Sequence, residues 1–282
     1  MKIRYDRATG CMYLTQEAAV DRVLMKFSMQ DCNHVKTPME KGCSLPPRAA
    51  NPVSHPYRQL LGSLMYTMLC VRPDICYAVG YLGRFQVQPG EAHWQALKRV
   101  VRYVKGTKNL KLHYKKNDDA EALVGYADAD WASDAEDRKS VSGFIFKVFG
   151  NTVSWASRKQ QTVALSSCEA EYAALSTAAS EGLWLHGILE DLKQVRPGTA
   201  FTLFEDNRGC IAMATNTEIK RVKHIDVKHH FLRDHVAQGR LQIEAIGTAN
   251  QIADTFTKPL EPGRFRELRT LLGLTDSGGV LE

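Results

Sequence analysis

Leu123-Val-Gly-Tyr-Ala-Asp128 is a short apolar run that stops on an aspartate, the pattern of a core strand with an acid at its carboxyl end. Downstream, Gly143–Phe149 and Thr152–Ala156 are also strand-like and meet at Gly150-Asn151, a hairpin signal. A long helical stretch runs from Glu169 to about Leu192, followed by a strand at Phe201–Phe204 and a short helix after Asn207. The tail predicts a helix near Ile225–Gln238, a strand at Leu241–Ile246, and helices at Asn250–Lys258 and Pro262–Leu272. Strands that come first in a run and later alternate with helices predict an α/β fold, a mixed sheet with helices on its faces.

Upstream, the polar stretch Lys115-Lys-Asn-Asp-Asp119 divides the chain into residues 1–116 and 117–282. The first part predicts a hairpin, Lys2–Tyr5 with Cys11–Thr15, and an amphipathic helix over Gln16–Ser28. From Asp31 to Pro56 the pattern dissolves into a connecting strap. Three helices follow: Tyr57–Val71, Asp74–Phe85 opened by Pro73, and Gly90–Lys105, whose basic face is either solvated or turned to nucleic acid. The net charge of +6 divides unevenly, with 19 Lys and Arg against 7 Asp and Glu in residues 1–116 and 18 against 24 in the rest. A segment at +12 is a candidate polyanion binder, and its acidic partner holds carboxylates that need a cation. Seven scattered cysteines with no Cys-x-x-Cys favour a reducing compartment and argue against structural zinc. Apolar runs such as Leu64–Val71 fall far short of the ~20 residues that span a bilayer, and the first residues lack the order of a signal peptide. Neither a membrane nor a secretion route is expected.

The acids carry the chemistry. Asp128 ends one strand, although a turn aspartate would do the same. Asp206 repeats the arrangement after Phe201-Thr-Leu-Phe-Glu205, where helix capping by Asp-Asn is the alternative. In open α/β sheets, sites form at the carboxyl ends of strands. Ser166-Ser-Cys-Glu169 fits a capping box that occupies Glu169, whereas Glu171 shares its face with Ala174, Leu175 and Ala178 and so points at the sheet. A buried carboxylate there is expensive without a compensating cation. Asp254 lies in a helix that Thr248-x-x-Gln251 can cap; read alone, it is a surface helix aspartate. Carboxylates converging on one sheet edge form an oxygen site suited to Mg²⁺ or Mn²⁺, and two such ions serve phosphodiester hydrolysis. The implied chemistry is a nuclease.

At these residues the sequence resembles the ribonuclease H domain of copia-type retrotransposon Pol polyproteins. The matching segments are Val124–Ala132, Asp137–Gly143, Ser154–Gln160, Ala164–Leu175, Glu205-Asp-Asn207, Lys223–Arg233 and Ala253–Pro259. Upstream, Leu14-Thr-Gln16, Thr37-Pro-Met39, Tyr57–Tyr66, Arg72-Pro-Asp74 and Arg102–Thr107 resemble the end of the same family's reverse transcriptase and its connection. The resemblance implies a ribonuclease H-like mixed five-stranded sheet flanked by helices, preceded by a smaller, mostly helical segment with an N-terminal hairpin. It places the family's four acids on Asp128, Glu171, Asp206 and Asp254, holding two Mg²⁺ ions for which Mn²⁺ can substitute. Asp254 enters through the resemblance alone. Cys168 replaces the small hydroxylated residue usual in this motif. The Tyr-x-Asp-Asp turn of the family's polymerase is absent, since the only Asp-Asp is Asp118-Asp119, so the chain is not expected to polymerise DNA.

The activity so implied is cleavage of the RNA strand of an RNA·DNA hybrid, leaving 5′-phosphate and 3′-hydroxyl ends. The partners implied are the hybrid and the remainder of Pol, its polymerase palm and integrase, in the cytoplasm or virus-like particles with nuclear access. Arg138, Lys139, Ser140, Arg158, Lys159, Asn207, Lys223 and His224 are expected to contact nucleic acid, gripping backbone and reading no bases. His224, His229 and His230 are poorly placed for zinc, because adjacent helical residues point about 100° apart. Trp131 and Trp155 are expected in the core. The competing readings are a catalytically silent binding remnant of Pol and a DNA-directed nuclease.

Overall fold

The computed structural model describes residues 1–47, 51–134, 136–215 and 226–276, the side chains of 226–230 excepted. Two compact units make up the chain: Met1–Lys116 with Lys258–Glu282, and Asn117–Thr257.

In the first unit, β1 (Lys2–Asp6) and β2 (Cys11–Thr15) form the expected antiparallel hairpin. Then come α1 (Glu17–Lys26), α2 (Tyr57–Cys70), a 3₁₀ turn (Pro73–Ile75) running into α3 (Cys76–Gly83), and α4 (Glu91–Gly106). The four residues of β3 (Lys111–Tyr114) pair antiparallel with β2; so short a strand carries too little alternation to be read from sequence. The apolar side of α4 buries Trp94, Leu97, Val100, Val101 and Val104. Its basic side is largely taken up by the strap. Arg99 meets Glu40 at 2.5 Å, Arg102 donates to the Asn33 carbonyl at 2.7 Å, and Lys105 donates to the Cys32 carbonyl at 2.6 Å.

In the second unit, β4 (Leu123–Asp130), β5 (Val141–Val148), β6 (Asn151–Lys159), β7 (Phe201–Glu205) and β8 (Leu241–Ala245) form one sheet in the order β6-β5-β4-β7-β8. β4, β5 and β6 are antiparallel neighbours, while β7 runs parallel to both β4 and β8. The β5–β6 turn is Phe149-Gly150, at φ 47° and 77°, one residue earlier than expected, because Asn151 already pairs with Val148. Positive φ at both positions matches the twist of a tight hairpin. The helix α5 (Ser167–Asp191) lies on the sheet over Phe146, Phe201 and Leu203. Gly182 permits that approach, since a Cβ there would lie 2.5 Å from the Phe201 ring.

After α6 (Arg208–Thr215) and α7 (Asp226–Ala237), the helix expected at 250–258 is replaced by two 3₁₀ turns, Thr248–Asn250 and Ile252–Phe256. Gln251 between them is extended and caps the second turn, its side chain accepting from the Ala253 N–H, so Thr248 caps no helix. The tail, α8 (Pro262–Leu271) and β9 (Leu274–Thr275), was expected to close the second domain but belongs to the first unit. β9 pairs with β3, and Phe265 sits edge-on to Tyr103.

Candidate active site

β4 carries Asp128 opposite Gly143 of β5, and the side chain is 2% exposed. Thr257 donates its hydroxyl to Asp128 Oδ2, while Gln251 Nε2 donates to the Ala127 carbonyl at 2.8 Å. The 248–257 segment is thereby docked on β4. Gly143 leaves the space, since a Cβ there would come within 2.7 Å of Phe256 Cβ and 2.8 Å of Thr257 Cγ2.

Glu171 stands in the first turns of α5. Ser166 caps that helix by accepting from the Glu169 N–H at 3.2 Å. Glu169 accepts from Leu165 N–H at 2.7 Å, one residue further back than a reciprocal box requires. Glu171 itself has no capping duty; it is 7% exposed, and its Oε2 has no hydrogen-bond partner. Asp206 follows β7 and accepts from the Thr248 hydroxyl at 2.9 Å. Capping of α6 falls to Asn207, which accepts from the Cys210 N–H at 3.0 Å.

Asp128, Glu171 and Asp206 each present an oxygen, and these atoms all lie within 4.8 Å of one another. Burial, then the charges of Glu205, Asp128 and Asp206, drive the Glu171 carboxyl far above the ordinary carboxylate range. Three acids so close, one with an orphaned oxygen, suit a hard divalent cation and, with no Cys or His among them, not zinc. Asp254 is not the surface helix residue expected from local pattern. It is 5% exposed in the second 3₁₀ turn and lies outside the group of three.

Glu205 lies in a segment that carries the family resemblance, but the sequence alone gives it no role. It is fully buried, accepts from the Asn207 N–H at 3.0 Å, and leaves Oε2 without a partner. Burial first, then the neighbouring acids Asp128 and Asp206, raise its carboxyl as well. Alternation along β7 was the available signal: Phe201, Leu203 and Glu205 share one face, and all three are buried.

The residues expected to hold nucleic acid are placed differently. Arg138 and Arg158 are exposed. Ser140 is fully buried and accepts from the Ala132 N–H at 3.1 Å, so it is not a surface contact. Lys139 pairs with Asp137 at 3.4 Å, and Lys159 with Asp134 at 2.7 Å and Asp137 at 2.9 Å. Lys223 and His224 lie outside the described residues, as do the side chains of His229 and His230. Trp131 is 47% exposed, not core, with its Nε1 on the Ala164 carbonyl; Trp155 is half-buried.

The Lys159 clamp has a measurable consequence. Burial alone would raise the Asp134 carboxyl, but Lys159 and the N–H groups of Glu136 and Asp137 override it and bring it to about 2. A depressed carboxyl contributes stability that is present above its unfolded value near 3.8 and lost as pH falls through about 2. Asp134→Asn is expected to destabilise the second unit by on the order of 1–2 kcal/mol at pH 7 and to flatten the acid limb. Denaturant midpoints measured from pH 7 down to 2 check this, and an unchanged midpoint at pH 7 would show that the clamp contributes nothing.

A mixed sheet of this order, with acids on its central strand, after the adjacent parallel strand and on the covering helix, defines a ribonuclease H-like protein. No protein-family model matches the chain. It is 36% identical over 283 residues to the retrovirus-related Pol polyprotein from transposon TNT 1-94 of Nicotiana tabacum, covering 97% of this chain and 21% of that protein. Against the corresponding polyprotein from transposon RE1 of Arabidopsis thaliana, identity is 36% over 278 residues, covering 97% of this chain and 19% of that protein. Among solved structures, RNase H1 from the archaeon Halobacterium salinarum NRC-1 aligns at 16% identity and a TM-score of 0.35, over 48% of this chain and 93% of that one. The chain's homologues over nearly its whole length are copia-type retrotransposon Pol polyproteins, and it spans about a fifth of the length of the curated relatives it matches.

Proposed function

We propose that the second unit is the ribonuclease H of such a polyprotein, hydrolysing the RNA strand of RNA·DNA hybrids with two divalent ions, Mg²⁺ or Mn²⁺. The observation that carries this reading is the convergence of Asp128, Glu171 and Asp206 within 4.8 Å on that sheet. Ions bound there would activate water and neutralise charge on the scissile phosphate. The chain's own residues hold and orient. Thr257 and Thr248 fix the Asp128 and Asp206 carboxylates through their hydroxyls. Asp254, in the 3₁₀ turn packed on β4 and β5, is the proposed fourth acid. The exposed Arg138 and Arg158 would meet phosphates, giving binding that tolerates sequence and weakens with salt. Residues 1–116 are proposed to be the end of the reverse transcriptase with its connection, and the hybrid and the rest of Pol to be the partners. A cytoplasmic site of action, in virus-like particles with access to the nucleus, completes the proposal.

The test is cleavage of a labelled RNA·DNA hybrid with Mg²⁺, Mn²⁺ or EDTA, beside double-stranded DNA. Divalent-dependent cutting of the RNA strand alone is the expected result. Cleavage that survives Asp206→Asn would sink the assignment, and salt-sensitive binding without cleavage would mark a silent remnant. Gly143→Ala offers a gentler probe. The added methyl displaces Phe256 and Thr257 and so loosens Asp128, with an expected loss of about 10²-fold in rate at near-normal secondary structure. A wild-type rate in this variant would show that the Thr257 contact does not position Asp128.

A further inference from the structure

Cys168 stands where the motif usually carries a small hydroxylated residue, and the carboxylate site makes no use of its thiol. It lies in the first turn of α5, where its Sγ rests on α6. The thiol donates to Met213 Sδ at 3.0 Å, and a Cβ on Gly209 would lie 3.4 Å from the same Sγ. Residues three and four apart are neighbours on a helix surface, so Gly209, Cys210 and Met213 outline one hole on α6, and Cys168 is seated in it. Two thiols and a thioether therefore converge from the two helices.

The trio can be reached from solvent and can adjust. Cys168 and Met213 are both half-buried, and Cys210 is fully buried in the core that they flank. An ion held by three sulfurs at about 2.3 Å sets them roughly 4 Å apart, so the Sγ–Sδ contact must open by about 1 Å. Met213 can supply that movement, because its side chain is unbranched and turns about three bonds. The surroundings favour a positive guest. Burial first, and then the charge of Glu205, raises both thiols above the ordinary range, so without an ion both are neutral at pH 7. Glu205 is itself fully buried, and its Oε2 has no partner. A buried oxygen in that state is costly unless a cation stands near it. The donor set then selects the ion. Zinc takes four ligands from Cys, His and carboxylates and has no use for a thioether, whereas thiol and thioether together suit Cu(I).

We propose that Cys168, Cys210 and Met213 form a binding site for Cu(I). The Cys168 proton leaves to solvent as the ion takes its place on Sγ, so thiolate and ion cancel in charge, and no electron is transferred. Met213 Sδ and the Cys210 sulfur complete the shell. The bound ion ties the start of α5 to α6 and shares no ligand with the group of Asp128, Glu171 and Asp206. The site therefore stands whether or not the second unit is a ribonuclease.

Anaerobic titration of the full chain with Cu(I), in competition with excess of a chromogenic Cu(I) chelator, tests the proposal. Wild type is expected to hold one ion against the chelator and to melt at a higher temperature with it than without it. Changes outside a metal's own ligands already weaken binding 10–100-fold, so Cys168→Ser should weaken this ion by about 10²-fold or more and abolish the melting shift. That variant restores the hydroxylated residue usual in the motif and should fold. Met213→Leu keeps the side-chain volume and should weaken the ion about tenfold. Cys11→Ser, in the first unit, should change neither reading. A wild type that takes no ion from the chelator overturns the proposal. So does an affinity unchanged in a normally melting Cys168→Ser, or one that falls equally in Cys11→Ser, which would trace the uptake to scattered thiols. If Met213→Leu melts early, Cys168→Ser carries the test alone. Displacement of the ion by an equal concentration of Zn²⁺ would overturn the choice of Cu(I).

Discussion

Glu171→Gln is expected to slow divalent-dependent cleavage of a hybrid by on the order of 10³-fold or more while costing the metal-free protein no stability. Both halves follow from where the side chain sits. Glu171 is 7% exposed with an orphaned Oε2, and burial followed by the charges of Glu205, Asp128 and Asp206 raises its carboxyl far above the ordinary range. Without a cation it is therefore protonated at neutral pH, and glutamine copies that neutral shape. A folded value raised above the unfolded one, near 4.5, means stability that is complete below about pH 4.5 and is lost as pH climbs. Metal-free wild type should thus weaken from pH 5 to 9, and the variant should flatten that slope. Divalent cations need the anionic ligand, so Mg²⁺ or Mn²⁺ should raise the wild-type melting temperature, more at pH 8 than at pH 6, and leave the variant nearly unmoved. Melting curves at the two pH values, run beside the cleavage assay, read all of this. A variant that cuts at the wild-type rate, or melts far below wild type without metal, contradicts the site.

Asp74→Ala should be the most destabilising single change in the first unit, about 3–5 kcal/mol, which is comparable with the whole stability of a small domain. Arg72 grips both Asp74 oxygens at 2.8 Å, and Tyr103 donates its hydroxyl to Asp74 Oδ2 at 2.5 Å. The rest of the guanidinium is satisfied by the Thr107 carbonyl at 3.1 Å and its hydroxyl at 2.7 Å, while Arg269 of α8 donates to the Tyr103 hydroxyl at 3.2 Å. Arg72 and Asp74 are each 2% exposed. Burial alone would raise the Asp74 carboxyl; the Arg72 charge beside it overrides this and holds it below the usual range. Alanine leaves the guanidinium buried without its counter-charge. Asp74→Asn keeps hydrogen bonds and should lose less, and the apolar pair Arg72→Met/Asp74→Leu should recover much of the loss, because a buried ion pair itself contributes little net stability. Proteolysis that begins in residues 1–116, together with an early change in the fluorescence of Trp94, the one tryptophan of the first unit, identifies the unit that fails. A midpoint within 1 kcal/mol of wild type would show the network to be dispensable.

Much of this arrangement was legible in the chain. The 3.6-residue period placed Glu171 on the buried side of its helix, and Ser166 was recognisable as the cap. The Asp206-Asn207 pair was not decidable, since either residue can cap the next helix and only the fold shows that Asn207 does so. Around Asn250–Lys258 the local pattern favours a helix, yet Gln251 is extended because its amide reaches across to the Ala127 carbonyl. Lys159 and Ser140 looked free for phosphates; Asp134, Asp137 and the Ala132 N–H take them instead.

By itself the sequence determined what lies within a few residues of itself: strand faces, helix faces, caps, the polar boundary at 116, and the unequal charge of the two parts. Those features depend on 2.0- and 3.6-residue periods and on bonds that close within one turn. Only the tertiary structure decided that Lys258–Glu282 returns to the first unit through β9 on β3. It also decided that Asp128, Glu171 and Asp206 share one point while Asp254 lies outside it. Such meetings depend on strand order and register, which set distances between residues far apart in the chain and leave no periodic trace in it.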